Sequence, residues 1–238
     1  MKTYDLHLES GPKRKTTMVH VLDLLGCIAT GPTTEAAIAA TPDAVRAYRR
    51  FLQRHGESVE LVEPFELRVV EHVTEGAWLG NGSPYLAYDW DFEPLTDEEV
   101  EVYLRRNDWL HEELAAWVAS CTEAQLDAKP PKGRTARESL LHVIGAQGAV
   151  LAYALGSAPR FGKIRGAAER GELPLPEALL QSAELTAERV RATMPEQRNA
   201  VRELSSGSYT LRKAFRRMLE HAWEHLAELS RRPGGPSL

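Results

Sequence analysis

The chain is short of cysteine, of net positive charge and of long apolar runs, and each shortage excludes a class of protein. Two cysteines in 238 residues, Cys27 and Cys121, are too few for a disulfide framework. They are expected to fall in different domains, so a reducing compartment is the default. The formal net charge of -5 gives no general attraction to nucleic acid, and none is predicted as a partner. The one basic cluster, Lys13-Arg14-Lys15, reads first as a solvated turn. No apolar run of signal-peptide length follows Met1, and no uninterrupted apolar stretch approaches the length of a bilayer span. A cytoplasmic protein with no membrane partner is therefore expected.

What is present is the composition of an ordinary soluble protein, long enough for two modest domains. Residues 1–8 and 16–24 alternate apolar and polar as half-buried strands do, and Glu9-Ser10-Gly11-Pro12-Lys13 supplies a turn between them. A third short strand over 26–31 is closed by Gly31 and Pro32, and Thr33 or Thr34 caps the helix that follows. Pro42 should kink or restart that helix, which continues through Val45, Tyr48, Phe51 and Leu52. Residues 66–73 alternate as a fourth strand with His72 facing solvent, and 76–84, rich in Gly, Asn and Ser, is a loop. The aromatic run Tyr85-Leu86-Ala87-Tyr88-Asp89-Trp90-Asp91-Phe92 reads as packing at a domain junction or, functionally, as a lid or pocket wall. Cys27 reads as a small buried apolar residue in preference to a nucleophile.

This order of strands and helix, with Leu25-Gly26-Cys27-Ile28-Ala29-Thr30-Gly31-Pro32-Thr33-Thr34-Glu35-Ala36-Ala37, is similar to HicB-like antitoxin domains. Agreement lies at Gly26, Cys27, Gly31, Thr33, Glu35 and Ala36; Leu22 and Leu25 stand where that pattern usually has prolines. The resemblance implies a HicB-like α/β domain over residues 1–75, of a kind that binds a small toxin ribonuclease. A linker over 76–95 follows.

From residue 96 onward the pattern changes to helices. Thr96-Asp97-Glu98-Glu99 is a capping box opening a long helix to about residue 120, with Val100, Tyr103, Leu104, Leu110, Leu114, Trp117 and Val118 at helical spacing. Asn107 and His111 read as its polar flank. Thr135-Ala136-Arg137-Glu138 opens a second helix, apolar nearly all round, to about residue 155. Residues 156–173 form a longer crossover whose Arg160, Lys163 and Arg165 could meet an anionic substrate or are simple loop charges. Pro176 opens a third helix with Leu179, Leu180, Ala183, Leu185, Val190 and Met194 inward. The stretch 205–210 breaks the chain, and Thr210 caps a fourth helix ended by Arg231-Arg232-Pro233-Gly234-Gly235. The fold class is thus α+β, a small sheet-plus-helix domain followed by an antiparallel four-helix bundle over 96–238.

The chemistry centres on the last helix. Leu211, Phe215, Met218, Ala222, Leu226 and Leu229 form its apolar stripe, His221 and His225 sit one turn apart on the shoulder, and Glu220 and Glu224 lie opposite. Imidazoles at i and i+4 can aim at one ion, although the same spacing also occurs as simple packing. A third ligand is offered by His142, whose helix has no polar face to take the ring to water. Ala146 and Ala149, on the same side, leave space beside it.

Residues from about 95 to 232 resemble the DinB family, which is also related to mycothiol- and bacillithiol-dependent enzymes. The matching pieces are Arg134-Thr135-Ala136-Arg137-Glu138-Ser139-Leu140-Leu141-His142-Val143 and Met218-Leu219-Glu220-His221-Ala222-Trp223-Glu224-His225-Leu226. The resemblance implies a divalent metal, zinc or nickel first, held by His142, His221 and His225 with coordination positions left for water or substrate, and it points to a homodimer. Three neutral imidazoles leave the ion its full charge, so it can acidify a bound water or thiol. A metal-dependent thiol S-transferase or hydrolase acting on a small-molecule or thiol substrate is one reading. The other is a non-catalytic, antitoxin-like partner-binding protein with a structural metal. A general base and the groups supporting the ligands are not identifiable from the residues alone.

Overall fold

The structure, a computed structural model, describes residues 1–238 apart from the side chain of Arg14. The chain forms two compact units: Met1–Phe92 with Glu203–Ser208 and Leu238, and Glu93–Arg202 with Tyr209–Ser237. Each is described by itself.

The first unit is built on strands β1 (Lys2–Ser10), β2 (Thr17–Val21), β3 (Ile28–Gly31) and β4 (Phe65–Val73), with helix α1 (Thr34–Arg54) between β3 and β4. The sheet order is β3-β2-β1-β4; β1 and β2 are antiparallel, as are β2 and β3, while β4 runs parallel to β1. The alternation seen in the sequence places Tyr4, Leu6 and Leu8 of β1 in a core with Val45, Tyr48, Phe51 and Leu52 of α1, all buried. Gly26 has φ 107°, and a Cβ there would fall on the Tyr48 ring, whose hydroxyl donates to the Leu25 carbonyl at 2.8 Å. Thr33 caps α1, accepting from the Ala36 amide.

Two sequence expectations change here. α1 runs unbroken through Pro42. Proline removes one helical donor, but Ala37, Thr41 and Val45, buried on either side of it, hold both halves against the sheet, and Thr41 Oγ1 donates to the Ala37 carbonyl. His72 does not simply face solvent: its Nε2 lies 2.7 Å from Ser10 Oγ, which is buried and also meets Thr17 Oγ1 at 2.6 Å. Residues 76–84 form a loop, as expected, and Glu9 draws residues 80–83 onto β1. That carboxylate is fully buried and accepts from the amides of Gly80, Gly82 and Ser83, so a cradle of backbone donors offsets its desolvation. Tyr88, from the aromatic run, is buried with its ring beside those of His7 and His20. In the basic turn, Lys13 and Lys15 are exposed, and the Arg14 side chain lies outside the described residues.

The second unit is helical. It contains α2 (Asp97–Ser120), α3 (Glu123–Asp127), α4 (Ala136–Leu155), α5 (Pro159–Glu169), α6 (Leu175–Arg191), α7 (Pro195–Arg198) and α8 (Leu211–Ser230). Both capping boxes form, Thr96 with Glu99 and Thr135 with Glu138, and Thr210 caps α8 by accepting from the Lys213 amide. Each of the four long helices touches two others: α2 meets α6 and α8, and α4 meets α6 and α8. A two-stranded ribbon, β5 (Arg202–Leu204) with β6 (Gly207–Tyr209), occupies the stretch read as a break.

The crossover is not a loop. Residues 159–169 form α5, anchored by Phe161, whose buried ring takes the space that Gly148 of α4 leaves by lacking a side chain. Asn107 and His111, read as a polar flank, are buried instead: Gln147 of α4 donates to Asn107 Oδ1 at 3.2 Å and to Thr186 of α6, giving the interior a polar strip. Burial holds the His111 pKa below the ordinary imidazole value. Leu180 and Met194, expected inward, are exposed. α4 is also long and apolar enough to cross a bilayer by length and composition, although Glu138, His142 and Gln147 interrupt its apolar run. Half of it is buried inside the protein, which is the ordinary state of a core helix.

Candidate metal centre

The capping box fixes where α4 begins, and with it the position of His142 two turns in. Thr210 does the same for α8, setting the rotation that brings His221 and His225 round to α4. His221 Nε2 lies 3.1 Å from His142 Nε2 and 3.2 Å from His225 Nε2. The ligand atoms of all three lie within 4.8 Å of one another, and each pair of rings is nearly perpendicular, at 82°, 88° and 89°. The structure therefore brings together all three histidines singled out in the sequence. Among the described residues this is the group of His, Cys, Asp and Glu side chains disposed to hold an ion, and it contains no carboxylate.

Proton accounting tests whether a cation fits. His225 Nδ1 is 2.9 Å from Glu228 Oε2, so its proton is donated there and its Nε2 presents a lone pair to the cluster. With that lone pair fixed, a proton on His142 Nε2 leaves His221 and His225 facing each other lone pair to lone pair, and a proton on His221 Nε2 can point squarely at only one of its two neighbours. A cation shared by the three removes that repulsion. Nitrogens bound at about 2.05 Å are about 3.3 Å apart in a tetrahedral site and about 2.9 Å apart when adjacent in an octahedral one. The observed 3.1 and 3.2 Å fall between these values.

The electrostatics favour the neutral form of His142 and His221. Burial, then the Arg134, His225 and Arg165 charges, lowers the His142 pKa to about 4. Burial, then His225 and Arg217, holds His221 well below the ordinary range. Glu228 is lowered to about 2, chiefly by its bond to His225 and also by Arg232, whose Nη2 donates to Glu228 Oε1 at 2.6 Å. The same guanidinium donates to the Arg134 carbonyl at 3.0 Å, tying the end of α8 to the segment before α4.

Two supporting elements were missed in the sequence. Glu228 lies three residues beyond His225, within one helical turn, and that spacing was a usable signal. Arg134 directly precedes the cap residue Thr135 and lines, with Arg165 and His142, a cleft of about 420 Å³. Of the three basic residues noted in the crossover, Arg165 reaches this cleft, whereas Arg160 pairs with Glu188 at 2.7 Å. Glu220 and Glu224 are not on a solvent face. Glu220 is 1% exposed and paired with Arg217 at 2.8 Å, and burial raises the Glu224 pKa. α8 is buried nearly all round, so its helical wheel gave no reliable outer side.

The DinB superfamily model matches residues 106–229, more than half of the chain and the segment that carries all three histidines. The chain belongs to the DinB superfamily. No curated protein and no solved structure matches it. Within this DinB-superfamily segment, two of the histidines share one helix and the third lies 79 residues earlier. The family match and the imidazole cluster thus fall on the same helices.

Proposed function

We propose that this DinB-superfamily protein is a divalent-metal-dependent enzyme, a thiol-dependent S-transferase or a hydrolase, with His142, His221 and His225 as the metal ligands. The observation that carries the reading is the convergence of three Nε2 atoms with their one fixed proton turned outward onto Glu228. Zinc or nickel suits an all-imidazole set. When bound, such an ion supplies a Lewis acid that lowers the pKa of a water or thiol in its open position. The protein's own part is to hold three neutral imidazoles in place, to lock the His225 ring through Glu228 and Arg232, and to offer a cleft beside His142. That cleft favours catalysis over a closed, structural site. The pairwise contacts of α2, α4, α6 and α8 support reading the second unit as an antiparallel four-helix bundle. The sheet followed by α1 supports a HicB-like fold for residues 1–75, in an accessory or dimerisation role.

Metal analysis of untagged protein tests the reading. About one equivalent of divalent metal per chain is expected, falling to background in His142→Ala. A wild-type protein that takes up no metal, or a variant that keeps it, would overturn the assignment.

A further inference from the structure

The cleft beside His142 is a groove between α4 and α5. Glu138, Leu141, His142, Gly145 and Ala146 present one face of α4, and Arg165 and Glu169 of α5 line the other side. Its volume, about 420 Å³, is that of a small-molecule site. Leu141 and Ala146 give it an apolar floor.

The charges in the groove are unevenly used. Other arginines of this unit are closely paired: Arg160 with Glu188 at 2.7 Å, Arg170 with Glu172 at 2.6 Å, and Arg191 with Glu101 at 2.7 Å. Arg165 makes only a loose ion pair, at 4.0 Å, with Glu169, which also lines the groove, and among the described residues no ion pair joins the Arg134 guanidinium to a carboxylate. The Glu138 carboxylate is held at the cap by the Thr135 amide, 2.8 Å away. Gly145 matters to this arrangement, because a Cβ there would stand 3.3 Å from Arg165 Cδ and 3.4 Å from its Nη1. The missing side chain lets Arg165 lie along α4 beside His142. Arg134 and Arg165 both line the groove together with His142.

We infer that Arg134 and Arg165 form an anion subsite that grips a carboxylate, sulfonate or phosphate of the substrate while its reacting end faces His142. The inference rests on the metal-centre reading and adds the substrate class: a small anionic molecule with a short apolar body. Two guanidiniums match such oxyanions in charge and in fork geometry.

The test uses cobalt-loaded protein titrated with two thiols of similar size, anionic 3-mercaptopropionate and neutral 3-mercaptopropanamide, followed by the thiolate-to-cobalt absorption. The anionic thiol is expected to bind about tenfold more tightly. The double variant Arg134→Gln with Arg165→Gln should lose that preference while cobalt affinity and neutral-thiol affinity stay unchanged. Equal binding of the two thiols to wild type, or a preference that survives in the double variant, overturns the subsite and leaves the metal centre standing. If the protein takes up no cobalt in a His142-dependent way, the metal reading fails and the subsite falls with it.

Discussion

Replacing Glu228 by alanine removes one carboxylate and leaves all three imidazoles in place. Glu228 Oε2 sits 2.9 Å from His225 Nδ1 and holds that ring from behind. Without the carboxylate, the His225 ring is free to turn, and the tautomer with its proton on Nε2 becomes accessible, which blocks coordination. Loss of an outer partner of this kind costs about 10- to 100-fold in metal affinity. The Glu228 side chain is 36% exposed, so water replaces part of what is lost and the lower half of that range, about 10- to 30-fold, is expected. Glu228→Gln keeps an acceptor oxygen for Nδ1 but loses the charge, so it should fall between wild type and alanine. Competition against a chromophoric chelator measures both variants, with thermal unfolding of the metal-free proteins as the control for folding. An alanine variant within twofold of wild type would show that Glu228 does not position His225, and would refute the proton argument built on it.

Two further outcomes are expected. Glu9→Ala leaves the buried amides of Gly80, Gly82 and Ser83 without their acceptor, at a cost of about 4 kcal/mol in urea unfolding, and Glu9→Gln, which keeps one acceptor oxygen, should cost about half as much. Below an unfolded-state value of about 6.5, the unfolded chain binds a proton that folded His142, with its pKa lowered to about 4, refuses. Metal-free stability at this ring is therefore complete above pH 6.5 and declines as pH falls toward 4. The slope is under about 1.4 kcal/mol per pH unit, because the half-buried ring is partly screened. Chemical denaturation of wild type and His142→Ala between pH 7 and 4 checks the sign: wild type should lose more stability than the variant over that interval.

How much of the site was legible depends on whether the deciding interaction is local. The i, i+4 pair His221 and His225, the cap residues Thr96, Thr135 and Thr210, and the alternation in β1 depend on near neighbours in the chain, and each could be read directly, whereas β2 is buried on both faces and its alternation could not be. Glu228 was equally local and was overlooked because a single acidic residue on a helix usually does nothing more than face solvent. Glu220 was misjudged for the opposite reason. A helical wheel assumes one wet face, and α8 has buried arginines and a buried glutamate on the side that the wheel assigned to water.

What the sequence determined by itself is the set of elements and the chemical type of the ligands. Helix caps, turn residues and hydrophobic period act within a few residues and need no partner to be specified. Only the tertiary structure decided that His142 meets a pair whose first member is 79 positions away, that α5 carries Arg165 back to the groove beside His142, and that Asn107 and His111 are interior groups. Those facts depend on which helix faces touch. That choice is made by packing among all the helices together, so no local stretch of chain contains it.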